Sequence, residues 1–116
     1  MFLSIKSILS LGSAAGCVSH ALAFQGRTTW FYPGLGACGA YSSSTDHVVA
    51  LSSDQFANGA HCYKHIGVWY GSNYVDATIV DLCPSCGEYD LDLSPSAFGE
   101  LANLDVGVIS AGWYFE

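Results

Sequence analysis

From residue 24 onward, every apolar run in the chain is short, rich in β-branched and aromatic residues, and cut off by Gly, Ser, Asn or Asp. Such runs suit a pleated, half-buried surface, and the turn residues between them reverse the chain. Strands are expected over residues 27–32, 47–51, 66–70, 74–80, a short piece at 90–93, 106–109 and 113–115. Gly71-Ser72-Asn73 reads as a hairpin turn between two of them. One helix is well signalled: Ser94 can N-cap it, Pro95 suits its first turn, and Ala97, Phe98, Leu101 and Leu104 share a face. Many short strands around one helix imply a small all-β barrel, closed or nearly so. Phe31, Trp69, Phe98, Trp113 and Phe115 are assigned to its core, and the pattern leaves Trp30 open.

The first 23 residues read differently. Lys6 precedes a small, apolar stretch that ends in Ala21-Leu22-Ala23, the pattern of a secretory signal with its cleavage site. That stretch is too short and too interrupted to span a bilayer, which takes roughly 20 apolar residues. A secreted, extracellular product covering residues 24–116 is therefore expected. Removing the leader takes Cys17 with it and leaves Cys38, Cys62, Cys83 and Cys86, an even set that suits an oxidised product. It also removes Lys6, so two basic residues, Arg27 and Lys64, face ten acidic ones, for a formal charge of 2 − 10 = −8. A surface of that sign repels phosphate backbones and anionic lipid heads, which disfavours nucleic-acid and membrane partners. A monomer is expected.

The stretch DLCPSCGEYDLDLS (residues 81–94) carries most of the candidate chemistry. Its Cys-x-x-Cys could supply half of a zinc site, yet neither Cys38 nor Cys62 has a second ligand at paired spacing, apart from His65 three residues after Cys62. A redox pair wants a helix N-terminus beside the thiols; here Gly87 and acidic residues follow. A loop strapped by disulfides is the stronger reading, with three pairings open to four cysteines. His47, His61 and His65 are read as surface or turn residues, and no metal or cofactor is expected.

The order of five motifs is more specific than any one of them. GRTTWFYPGLGACGAY (26–41), DHVVALS (46–52), ATIVDLCPSC (77–86), DLDLSPSAFGELA (90–102) and GWYF (112–115) together resemble the rare-lipoprotein-A-like double-psi β-barrel family in its small secreted fungal form. Relatives of that family include barwin, the first domain of expansins, family-45 glycoside hydrolases and a bacterial papain inhibitor. The resemblance implies a six-stranded double-psi barrel with one or two short helices and an open groove. It also favours the pairings Cys38–Cys62 and Cys83–Cys86.

The same resemblance places Asp81 and Asp92 on the groove floor near Thr29, with Tyr41, Tyr63 and Tyr89 as candidate walls. The residue matching Asp92 is the general acid of family-45 hydrolases. Inverting hydrolysis needs a second carboxyl about 6.5–9.5 Å away, and no Asp or Glu occurs between Gly26 and Ser44, where the hydrolases carry their base. Lipoprotein-A enzymes use acids and a histidine in the segment matching 45–56, of which only Asp46 is matched here. No catalytic residue is assigned. The expected function is a non-catalytic module that holds cell-wall polysaccharide, chitin or β-glucan, in the groove. The alternative is a cysteine-protease inhibitor acting through the loops at 36–41 and 84–89. A weaker alternative is an enzyme on a small substrate, after fungal relatives credited with oxidising a riboflavin side chain.

Overall fold

The strand Asn73–Leu82 shows how this sequence builds its barrel. Val75, Ala77 and Ile79 point into the core, while Tyr74, Asp76 and Thr78 face outward, the period-two alternation of a sheet with one buried face. A computed structural model describes residues 23–116; the leader read over 1–23 lies, except for its last residue, outside the described residues. The described elements are β1 (Phe24–Trp30), β2 (Val48–Leu51), α1 (Ser53–Phe56), β3 (His65–Tyr70), β4 (Asn73–Leu82), β5 (Leu91–Leu93), α2 (Pro95–Leu101) and β6 (Ile109–Phe115), with single 3-10 turns at Ala57–Gly59 and Leu104–Val106.

The six strands close into a barrel in the order β1-β5-β2-β4-β3-β6. β1 runs parallel to β5 and β2 parallel to β4, while β2 pairs antiparallel with β5. These interlocked parallel pairs make it the all-β double-psi barrel implied by the motif order. Closure comes from β6, which pairs antiparallel with both β1 and β3. The turn between β3 and β4 is Gly71-Ser72, closed by the Tyr70–Asn73 pair, with Gly71 at φ 60°. Cys38 is joined to Cys62 and Cys83 to Cys86, the pairings the resemblance implied.

Three expectations are corrected. No separate strand forms at 106–109: a 3-10 turn ends at Val106, and the last strand begins at Ile109 and runs through the segment expected only at 113–115. Asn103 accepts from the Asp105 amide and starts that turn, a local cap that overrides the apolar run. The first strand starts at Phe24 and ends at Trp30, since β6 pairs with it back to Phe24. Trp113 and Phe98 are fully buried, but Phe31, Trp69 and Phe115 are only partly so. Phe115 and Trp30 pack on the rim of the core, and Trp69 lies across Gly112 on the outer face.

Ser94 stands at the N-cap of α2, yet its side chain does not cap the helix. Its hydroxyl donates to the Asp46 carbonyl (2.6 Å) and accepts from the Val48 amide (3.1 Å), tying the entry of β2 to the end of β5. Helix α1, not expected from the sequence, is capped by Ser52, which accepts from the Gln55 amide and donates to the Glu88 carbonyl.

Candidate functional site

Strand register brings the candidate residues into one row. Thr29 on β1 stands opposite Asp92 on β5, Asp92 stands opposite Ala50 on β2, and Ala50 stands opposite Asp81 on β4. One transverse row of four strands thus carries Thr29, Asp92 and Asp81. Leu91 and Leu93 are drawn into the core, so alternation turns Asp92 outward. On the β1 side, buried Thr28 leaves Thr29 facing out beside it. A register shift between Val49 and Ala50 brings Asp81, rather than Val80, into the row.

Thr29 Oγ1 donates to Asp92 Oδ1 at 2.9 Å. Burial pushes the half-buried Asp92 carboxyl above the usual carboxylate range; the Thr29 hydrogen bond and the Arg27 charge oppose this, and the Asp81 charge adds to it. Asp81 is occupied differently. Its Oδ1 accepts the Ala37 amide and the Leu82 amide, both at 2.8 Å. The segment between the two aspartates is a clasp: Cys83–Cys86 closes it, and Asp90 accepts the Gly87 amide on one oxygen and the Arg27 amide on the other.

The candidate walls separate. Tyr41 is 80% exposed and forms an isolated bridge with Leu35, on the same loop that gives its Ala37 amide to Asp81. Tyr89 is not at the row: its ring stacks on Phe24 at 4.6 Å, five residues along β1 from Thr29, or about 16 Å of strand. Tyr63 donates from its hydroxyl to the Cys38 carbonyl at 2.6 Å. Beyond Thr29, Trp30 and Tyr32 pack edge to face at 5.4 Å, and Tyr32 is 73% exposed. This aromatic pair was missed, although i, i+2 spacing in TWFY puts both rings on one face.

A second titratable cluster lies on β3, β4 and the C-terminus. His65 Nδ1 is 2.6 Å from Asp76 Oδ1, and the ligand-type atoms of His65, Asp76 and Glu116 all lie within 4.8 Å of one another. Glu116 is held up in pKa chiefly by its hydrogen bond to Asp76, while Asp76 is held down, against its own desolvation, by the bonds from Glu116 and His65. Tyr74 donates a further hydrogen bond to Glu116 at 2.9 Å. His61 stacks on Phe115, with ring centroids 4.6 Å apart. With all four described cysteines in disulfides, the cysteine zinc site is excluded.

Residues 23–112 match the family model described as lytic transglycolase. The chain is 34% identical over 101 residues to Allergen Asp f 7 of Aspergillus fumigatus, covering 85% of this chain and 36% of that protein. It is 29% identical over 120 residues to the papain inhibitor of Streptomyces mobaraensis, covering 92% of this chain and 81% of the inhibitor. The solved Streptomyces papain inhibitor superposes with a TM-score of 0.74 at 30% identity, over 80% of this chain and 93% of that one. The apo expansin of Clavibacter michiganensis gives a TM-score of 0.76 at 25% identity, over 82% of this chain and half of that one. The chain thus spans about a third of the allergen and half of the expansin. Together with the closed barrel and its crossed parallel pairs, the match over residues 23–112 establishes that this chain belongs to the rare-lipoprotein-A-like double-psi β-barrel family.

Proposed function

We propose that the protein is an exported, non-catalytic module that holds an uncharged wall polysaccharide in the groove around Thr29, Asp92 and Asp81. The observation that carries this reading is the half-buried Asp92, oriented by Thr29, beside a single neighbouring carboxylate that is already engaged. Breaking a glycosidic bond takes a proton donor and a second group that activates water or attacks the sugar. Asp92 suits the first role, but Asp81 spends Oδ1 on two backbone amides, and β1 brings Thr29, not a carboxylate, to the row. A carboxylate and a hydroxyl facing outward can still bond sugar hydroxyls, and Tyr41 offers an exposed ring for a pyranose face. The likeness to an expansin agrees with this reading.

A second reading is supported by the likeness to the papain inhibitor, which extends over 93% of that chain. The loop holding the Leu35–Tyr41 bridge is strapped by Cys38–Cys62 and presents both side chains to solvent, as a wedge for a protease cleft would. One experiment separates the two. Wild type and Asp92→Ala are incubated with insoluble cellulose, chitin and β-1,3-glucan, released sugar is followed, and papain activity is titrated with both proteins. Retention of wild type alone, without sugar release, supports the groove reading. Release of sugar would make the protein an enzyme. Equal papain inhibition by both proteins, with no retention on any polymer, would replace the groove reading with the inhibitor.

A further inference from the structure

A cavity of about 860 Å³ opens on the outer face of β2 and β4, lined by Asp46, His47, Tyr63, Tyr74, Asp76 and Glu100 among others. Its volume lies within the roughly 300–1,000 Å³ typical of small-molecule sites. Thr29, Asp81 and Asp92 are not part of its lining. The 33–41 loop touches both places, since Ala40 lines the cavity while Ala37 holds Asp81.

Two features mark this cavity as a prepared surface. Tyr63 and Tyr74 are each about half exposed, and both hydroxyls are tied down: Tyr63 to the Cys38 carbonyl, Tyr74 to Glu116 with Tyr114 beside it at 3.3 Å. Tyr63 also keeps a left-handed backbone, φ 69°, which a bulky L-residue adopts only when its surroundings enforce it. Rings fixed in this way lose little side-chain entropy when a ligand stacks on them. The second feature is charge. Asp46, Asp76 and Glu100 line the cavity and no Lys or Arg does. Asp46 uses one oxygen to accept the Ser43 amide, and Glu100, on the exposed side of α2, has no hydrogen bond or ion pair among the described residues. Asp76 is paired with His65, but Asp46 and Glu100 face solvent with no Lys or Arg paired to them among the described residues, in a chain of formal charge −7.

We propose that this cavity binds a cationic amino-sugar chain, a polymer of glucosamine units whose ammonium groups pair with Asp46 and Glu100 while its pyranose faces lie on Tyr63 and Tyr74. The choice of a glycan as occupant rests on the polysaccharide reading above; the choice of a cationic one rests on the cavity itself. A hydroxyl-only sugar leaves the carboxylates unneutralised, whereas each ammonium forms a charge-assisted hydrogen bond with one of them.

The test is calorimetric titration of the protein at about pH 5.5, where carboxylates are ionised and sugar amines protonated. The probes are a glucosamine hexamer, an N-acetylglucosamine hexamer and hexalysine, each at low and at high salt. Asp46→Asn with Glu100→Gln keeps size and the Ser43 hydrogen bond; circular dichroism and melting verify its fold. The expected result is that the glucosamine hexamer binds about tenfold or more tighter than the acetylated one, and that the double variant and high salt each remove about tenfold. Equal affinity for both hexamers, wild-type binding by the double variant, hexalysine binding as tight as the amino sugar, or no binding at all would each overturn the proposal. Retention on neutral polymers that depends on Asp92 would survive any of those outcomes, so the two readings fail separately.

Discussion

At the scale of single residues, Asp92, the anchor of the proposed groove, carries a cost to the fold. Its carboxyl is pushed up chiefly by burial, so the folded chain holds a proton there at a pH where the unfolded chain has released it. Stability attributable to this group is therefore greatest below the ordinary carboxylate range and falls as pH rises through the raised value. Asp92→Asn keeps an oxygen for the Thr29 hydroxyl and removes the charge. It should melt higher than wild type at neutral pH, by a small margin because solvent screens a half-exposed site, and match it near pH 3. Thermal unfolding at the two pH values measures this; a lower melting point at neutral pH would mean that the pull of Arg27 outweighs desolvation. The outward placement of Asp92 was legible in DLDLS, where flanking leucines must go inward. The fate of Asp81 was not, because its amide partner Ala37 lies 44 residues away.

At the scale of elements, the 33–41 loop is the piece most exposed to disruption. Gly36 packs so closely on the Val80 carbonyl that a Cβ would overlap it, and its amide bonds the Ala40 carbonyl within the loop. Gly36→Ala should lift the loop, costing about 1–3 kcal/mol and withdrawing the Ala37 amide from Asp81. Polymer retention and melting temperature should then fall together; a stable variant with full retention would show that the loop does not shape the groove. The two disulfides differ in what they restrain. Cys38–Cys62 closes a separation of 24 residues and Cys83–Cys86 one of 3, so loop-closure entropy gives about 3.5 kcal/mol to the first and about 2 kcal/mol to the second. Paired Cys→Ala variants compared by urea unfolding should rank in that order. The elements themselves were largely readable: the Gly71 hairpin, the apolar face of α2 and the alternation in β4 are local signals. Helix α1 and the true start of β6 escaped, because a four-residue helix has no periodicity to detect and β6 is delimited by partners at the opposite end of the chain.

At the scale of the whole molecule, the barrel is held by pairings that local pattern does not encode. Among the described strands only β3 and β4 form a hairpin; each other pairing joins strands separated by intervening elements. Motif order could name the fold, yet the row Thr29–Asp92–Ala50–Asp81 exists only once four distant strands are in register. β6 completes the closure, bonding β1 on one side and β3 on the other, and it supplies Ile109, Ala111 and the fully buried Trp113 to the core. Trp113 also donates its indole N–H to the Tyr89 carbonyl, fastening the clasp that leads into β5. Removing residues 110–116 opens two strand edges, uncovers the core and frees that clasp at once. Trp113→Ala alone should cost about 3–5 kcal/mol, a large part of the roughly 5–15 kcal/mol available to a small domain. The truncation should exceed that reserve and abolish the cooperative transition and the near-ultraviolet aromatic signal, while Trp113→Ala lowers the transition without erasing it. If β6 were a peripheral strand, the truncated chain would still melt cooperatively at a reduced temperature. That outcome would locate the folding unit in the crossed β1, β2, β4 and β5 core and leave the sixth strand as a cover.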